Sequence, residues 1–218
     1  MKRHSIKWLS HFSQSGLSSG FTLTELLVAV AISGIGLTIA GAGIVTIMQS
    51  QQKASVEVSQ RTNLNRALDF MAEEVRMANA VKVPVVSSVP TVTCGTATGV
   101  LELTIPNPGL PADQVVYYLQ TLNGCSSNPW LGPAVIRRKY VSSNSTLSSD
   151  TVLTDALMAP TTPPSCTSGM TFAGSNGFYA CISNDRTADL YLYGRLTDAY
   201  GNTNGTYPVS SQVSARSF

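Results

Sequence analysis

Histidine is almost absent from this chain of 218 residues, which has only two, His4 and His11, both near the N-terminus. If that opening segment is removed, the rest of the protein has no histidine at all. A Ser-His-Asp or Cys-His catalytic site is then impossible, and the most common protein ligand for metals is missing. This lack counts against a hydrolase of those classes and against an ordinary zinc site.

Charge is also scarce, because charged residues make up only 12% of the chain. The first twenty residues hold three basic side chains and no acidic one, and they contain Lys2, Arg3 and Lys7. Without them the 14 basic and 12 acidic residues become 11 and 12. A net charge near zero gives no general electrostatic reason to expect a nucleic-acid partner.

An apolar run from Phe21 to Met48 contains a single charged residue, Glu25. As a helix, these 28 residues would span about 42 Å, enough to cross a hydrocarbon core of about 30 Å, and the run is too long for a cleavable secretory signal. The basic residues precede it, so the N-terminus should stay in the cytoplasm. A carboxylate is expensive in such a run and marks a functional hypothesis.

Four cysteines follow this membrane-targeting segment: Cys94, Cys125, Cys166 and Cys181. None of them forms a CxxC pair, and their even number favours two disulfides in an oxidising compartment. Three connectivities are possible. Joining sequence neighbours gives Cys94–Cys125 and Cys166–Cys181, with free buried thiols as the alternative.

The helix should continue past Met48, because a second, polar stretch carries one apolar stripe at helical spacing. The stripe consists of Leu64, Leu68, Met71, Val75 and Ala78. Asn79 and Pro84 indicate a helix end near residue 80. We therefore predict one helix over residues 21–81, with 21–48 as its membrane-spanning part. A membrane anchor followed by an ordinary soluble helix also explains the lengths, but not Glu25.

The pattern of strand-like segments in residues 82–218 predicts a β-rich head. Five segments are β-branched or aromatic and bounded by turn residues: Gly99–Ile105, Gln114–Gln120, Ala134–Tyr140, Phe178–Ser183 and Ala188–Leu196. Segments such as "SSNSTLSSD" between them should not form central strands. The helical stripe would pack on a mainly antiparallel sheet, which gives an α+β fold.

The stretch "GFTLTELLVA" (residues 20–29) closely resembles the N-terminus of type IV pilins and of type II secretion pseudopilins. The resemblance implies that residues 1–20 are a leader, that a prepilin peptidase cuts between Gly20 and Phe21, and that Phe21 is then N-methylated. It also implies that Glu25 meets the new amine of a neighbouring subunit and sets the register of assembly. Two buried charges are much less costly paired than alone. A pair within one chain is the competing geometry.

A weaker resemblance covers "NRALDFMAEEVRMANAV" (residues 65–81) and the final "SSQVSARSF", which are similar to PilW-like minor pilins and GspJ-like minor pseudopilins. It implies a non-catalytic structural subunit without a cofactor. Its partners would be other pilin subunits, the prepilin peptidase and the pilus or secretion assembly platform. The chain would wait in a bacterial inner membrane with its head outside, and then enter a pilus or a periplasmic pseudopilus.

Three alternatives stay open for the function. They are a minor pseudopilin of a type II secretion system, a tip subunit that is adhesive or contacts DNA, and a membrane-anchored periplasmic enzyme. The missing histidine and the presence of Glu25 both count against the enzyme.

Two features of the head bear on ligands. The loop "DAYGNTNG" brings Asp198, Asn202 and Asn204 together as a calcium candidate, but its order does not match an EF-hand, and a hairpin turn is favoured. Arg137, Arg138 and Lys139 lie on a predicted strand, where side chains alternate between faces. They favour a solvated or charge-protected edge strand over a DNA-binding patch.

Overall fold

The computed structural model describes residues 22–126, 128–144, 147–197 and 202–216, without the side chains of Lys53 and Asn204. It contains one helix, α1 (Leu23–Met77), and nine strands. The strands are β1 (Ala80–Lys82), β2 (Ala97–Ile105), β3 (Asp113–Thr121), β4 (Ala134–Val141), β5 (Ser148–Leu157), β6 (Thr171–Ser175), β7 (Phe178–Ser183), β8 (Thr187–Thr197) and β9 (Thr203–Ser214). The chain divides into two compact units between Met48 and Gln49. The predicted α+β class is confirmed.

The helix ends at Met77, before the predicted end at residues 80–81. The helix ends there because the backbone of the next few residues forms hydrogen bonds with the sheet and no longer with the helix. The Asn79 amide donates to the Thr104 carbonyl at 2.8 Å, and β1 pairs with β2 from Ala80 opposite Thr104. The head therefore begins before residue 82, because β1 already belongs to the sheet.

The strands form a single antiparallel sheet in the order β1-β2-β3-β4-β5-β8-β7-β6, with β9 also paired to β8. The sheet is curled, so that β6 and β7 return against β2. At the closing edge, the Val81 amide donates to the Asp185 carbonyl at 2.8 Å. The β7–β8 turn thereby covers the edge strand β1, which would otherwise expose unpaired backbone.

All five predicted strands are present, as β2, β3, β4, β7 and β8. Sequence patterns missed the other four. The start of β5 lies inside "SSNSTLSSD", and its polar residues pair with β4 from Ser148 opposite Val141. Strand β9 contains Pro208, which pairs with Tyr193 at an edge position where a missing amide does little harm.

The core lies between the second half of α1 and one face of the sheet. All five predicted stripe residues are buried there, together with Ala67 and Ala72 of the same helix. Strands contribute residues such as Tyr117, Leu119 and Leu192. Gly194 lets the helix come close, because a Cβ at that position would lie 2.3 Å from Cδ1 of Leu64.

Strand β3 is buried on both faces. Val116, Tyr118 and Gln120 point away from the helix and are still almost inaccessible to solvent. The β1–β2 connection packs on this outer face: a Cβ on Gly99 would meet Val89 at 2.6 Å and Pro84 at 3.0 Å. Gln120 donates to the Cys94 carbonyl at 2.9 Å and so holds the end of that connection.

Two disulfides tie loops to the head, Cys94–Cys125 and Cys166–Cys181. These are the two pairings suggested by joining sequence neighbours. The first fixes the β1–β2 connection to the β3–β4 loop across a sequence separation of 31 residues. The second fixes the β5–β6 connection to β7, where Cys181 is fully buried.

Replacing Cys94 and Cys125 by serine together should lower the free energy of unfolding by about 3–4 kcal/mol, the loss expected for a closed loop of this size. Urea unfolding of the detergent-solubilised chain measures it. Wild-type protein treated with reductant should lose at least as much. A double variant as stable as the oxidised wild type would show that this crosslink does not stabilise the head.

Candidate functional site

The first half of α1 exposes its apolar side chains on every side. From Leu23 to Met48 its large apolar residues are 54–77% exposed. By length and composition alone, α1 is one helix that could cross a membrane, with a mean hydropathy of 2.1 in its most apolar window. A helix that is apolar all round needs lipid or other helices around it.

Four glycines in this segment have open space beside them in the described part of the chain. A Cβ added at Gly34, Gly36, Gly41 or Gly43 would meet nothing within 4 Å. Glycine also weakens a helix in water by about 1 kcal/mol relative to alanine. Small residues do allow two helices to approach closely in an apolar medium. These glycines therefore fit contacts with helices of other subunits.

Two threonine hydroxyls within this segment are satisfied by its own backbone. Thr38 donates to the Ile35 carbonyl at 2.7 Å, and Thr46 donates to the Ala42 carbonyl at 3.0 Å. Such bonds allow polar side chains to remain in an apolar surrounding. Glu25, the only charged residue between Phe21 and Met48, is therefore the one group here that this kind of bond cannot neutralise.

The Glu25 carboxylate caps the start of its own helix. Its Oε2 accepts hydrogen bonds from the Thr22 amide at 3.0 Å and the Thr22 hydroxyl at 2.9 Å. The Glu25 amide donates back to the Thr22 hydroxyl at 3.3 Å. This reciprocal pattern is a capping box, in which the cap residue and the residue three positions later satisfy each other's backbone groups.

Glu25 was predicted as an assembly residue, and its part in the capping box was not predicted. The signal was visible, because Thr22 and Glu25 have the Thr-x-x-Glu spacing of such a box. Gly20 and Phe21 lie outside the described residues, so the cleavage site and the amine of Phe21 have no structural description. Pairing of Glu25 with that amine stays a prediction.

Within the head, the most deeply buried charges join the helix to the sheet. Arg138 of β4 donates to the Glu74 carboxylate through Nη2 at 2.6 Å and through Nε at 3.0 and 3.1 Å. The Tyr117 hydroxyl donates to the same carboxylate. The side chains of Glu74 and Arg138 are only 9% and 18% exposed. The carboxylate, the guanidinium and the phenol are therefore each hydrogen-bonded within this cluster, as buried polar groups usually are.

Burial, followed by the negative charge of Glu74, raises the pKa of Tyr117 well above its ordinary value. The phenol therefore remains protonated at neutral pH, and it stays a donor to Glu74. Burial similarly raises the pKa of Tyr118, whose hydroxyl donates to Asp150 at 2.6 Å on the opposite face.

The three basic residues of β4 alternate between faces, as predicted. The prediction that they protect an edge strand is wrong. Strand β4 is internal, paired with β3 on one side and β5 on the other. Arg138 points to the helix, whereas Arg137 forms an ion pair with Asp150 at 3.0 Å. Two of the three charges therefore have carboxylate partners within the head.

The calcium candidate remains a prediction. Asp198 and the side chain of Asn204 lie outside the described part of the chain, and Asn202 makes a contact of its own. Among the described residues there is no group of three or more His, Cys, Asp or Glu side chains that could hold a metal ion.

Comparison with known proteins points to the same N-terminal segment. Residues 17–41 match the family model described as a prokaryotic N-terminal methylation motif, and this match includes Gly20, Phe21 and Glu25. No curated protein and no solved structure matches the chain. The motif implies processing by a prepilin peptidase and association with other pilin subunits. The chain therefore carries the prepilin-type motif of type IV pilin-like proteins, and the second half of its long N-terminal helix packs on a curled antiparallel sheet, as an α+β pilin-like fold requires.

Proposed function

We propose that the chain is a minor pilin, a structural and priming subunit that joins a type IV pilus through the first half of α1. The observation that carries the proposal is the exposed apolar surface from Leu23 to Met48, which has no partner within the described chain. Lipid covers this surface before assembly, and the helices of neighbouring subunits cover it afterwards. The glycines then let those helices approach closely.

Glu25 sets the axial register of this assembly. A carboxylate has about four lone-pair directions, and the two bonds from Thr22 leave room for an ammonium group. Cleavage after Gly20 creates that group at Phe21, and the amine of a neighbouring subunit pairs with Glu25. In an apolar bundle, displacement from this register would leave two charges unpaired, at a cost of several kcal/mol.

The topology follows from the placement of charge. Basic residues precede the apolar run, so the N-terminus faces the cytoplasm and the head lies outside the inner membrane. The two disulfides suit that oxidising side. The head contributes no catalysis in this proposal, and the chain needs no cofactor. The assembly platform and the other subunits are its partners.

The experiment is to shear filaments from cells that express a tagged chain and to identify the subunits that purify with it. Pilus subunits in the sheared fraction support the proposal. Subunits of a secretion machine, with no sheared filament, would instead assign the chain to a type II secretion pseudopilus. A chain that is always recovered alone from the membrane would contradict both assignments.

A further inference from the structure

The head has an open groove on the side where α1 passes beside β5. Its volume is about 430 Å³, within the range of small-molecule sites. The helix contributes Asn63, Arg66, Ala67 and Phe70, and the strand contributes Val152 to Asp155. Trp130, from the β3–β4 loop, forms a wall.

Two aromatic rings in this groove are only partly covered by the protein. Phe70 is 42% exposed and Trp130 is 44% exposed. Aromatic rings of this size release substantial free energy when they are covered, and a partly polar ligand can stack on them. The flanking backbone is fixed, since the Leu131 amide donates to Asp155 at 2.8 Å and the Ala156 amide donates to the Leu131 carbonyl at 2.7 Å. The tryptophan is therefore held beside the groove by ordered neighbours.

Polar side chains with complementary chemistry line the same groove. Asn63 can donate and accept hydrogen bonds, Arg66 can donate, and Asp155 can accept. One positive and one negative charge cancel, so the lining favours a neutral ligand over an anion or a cation. Such a ligand needs apolar faces for the rings and hydroxyl groups for the amide and the charged groups.

A narrow cleft beside the groove is lined by two residues that have unpaired polar atoms. It shares Asn63, Thr154 and Asp155 with the groove and is also lined by Gln60 and Arg195. The Gln60 Oε1 and the Arg195 Nε are buried and have no hydrogen-bond partner. An unmade buried hydrogen bond costs about 1–3 kcal/mol. The cleft has a volume of about 10 Å³, barely the space of one water-sized group, so a single ligand hydroxyl is the most that could enter it beside these atoms.

We infer that this groove binds a neutral saccharide of one or two rings, a role that goes beyond subunit assembly. A sugar ring offers C–H faces, which carry slight positive charge and stack on Trp130 and on the exposed part of Phe70, whose ring also has the Arg138 guanidinium 5.8 Å from its centroid. Its hydroxyl groups both donate and accept, so they fit Asn63, Arg66 and Asp155. A wholly apolar ligand would offer no hydrogen bond to any of these three polar groups.

Trp130 is also the reporter for the test. The sequence has two tryptophans, Trp8 and Trp130, so the chain that starts at Phe21 has only Trp130. That chain, solubilised in detergent and checked by mass, is titrated with maltose, lactose and cellobiose while its fluorescence is followed. We expect a saturable change with at least one of the three, with a Kd near or below about 1 mM. Calorimetry repeats the measurement for Trp130→Ala, which should bind at least about tenfold more weakly.

Asn63→Ala and Asn65→Ala form a matched pair on the exposed surface of the same helix, and only Asn63 lines the groove. Asn63→Ala should weaken binding about tenfold, the effect of one lost hydrogen bond. Asn65→Ala should leave it unchanged. Equal effects of both variants would overturn the inference, and so would no saturable response to any of the three sugars up to about 50 mM, well above that Kd. Binding of an extended valine-threonine peptide without a sugar response would assign the groove to a polypeptide instead and would also overturn it.

Discussion

The Glu25→Gln variant should still be inserted in the membrane, and its leader should still be removed after Gly20. Its recovery in sheared filaments should fall at least about tenfold. Glutamine also serves at the last position of a capping box, so the start of α1 should be kept. What is lost is the negative charge. The Phe21 amine of the neighbouring subunit would then be buried without a counter-charge, at a cost of about 3–5 kcal/mol. Immunoblots of membrane and sheared fractions give the ratio.

Thr22→Ala is the matched control, because it removes the hydroxyl of the capping box and keeps the carboxylate. It should weaken the helix start by about 1 kcal/mol and leave most assembly intact. Normal recovery of Glu25→Gln would contradict the register role of Glu25. An equal loss in the two variants would also contradict it, because Thr22→Ala keeps the negative charge that the register role requires.

Removing either partner of the Glu74–Arg138 pair should destabilise the head by about 3–5 kcal/mol, because the other charge would stay buried and unpaired. Arg138→Met leaves the Glu74 carboxylate with only the Tyr117 hydroxyl as a donor. Glu74→Leu leaves the guanidinium without its carboxylate. Urea unfolding of the full chain in detergent measures both losses.

The double variant Glu74→Leu with Arg138→Met should lose much less than the two single losses together, since apolar replacements of a whole buried pair are often nearly neutral. Glu73→Ala, at the adjacent exposed position on the helix, should change stability by less than about 0.5 kcal/mol. Single variants as stable as Glu73→Ala would show that the pair does not hold the helix to the sheet.

Features set by local pattern could be predicted from the sequence. The stripe from Leu64 to Ala78 follows helical periodicity. The strands richest in β-branched and aromatic residues could be predicted because the composition of the segment itself indicates a strand. The apolar run and Glu25 were equally visible. The capping box could also be predicted from the spacing of Thr22 and Glu25, although the apolar run around Glu25 indicates only an assembly role.

Features set by distant partners could not be predicted. The helix stops at Met77 because β2 offers partners to Asn79 and β1, which no local signal shows. Strand β5 is polar at its start and becomes a strand through pairing with β4. The burial of Arg138 depends on Glu74, 64 positions earlier in the chain. The groove likewise joins residues of α1 to Trp130, far apart in sequence.

Processing at the Gly20–Phe21 junction is tested most directly by the mass of the N-terminal peptide. The chain is recovered for this purpose from cells that have a prepilin peptidase. We expect a chain that begins at Phe21 and carries one N-methyl group. Gly20→Ala should retain residues 1–20, because the cut requires the glycine. A mature N-terminus anywhere other than Phe21, or a start at Phe21 in the Gly20→Ala variant, would contradict this expectation.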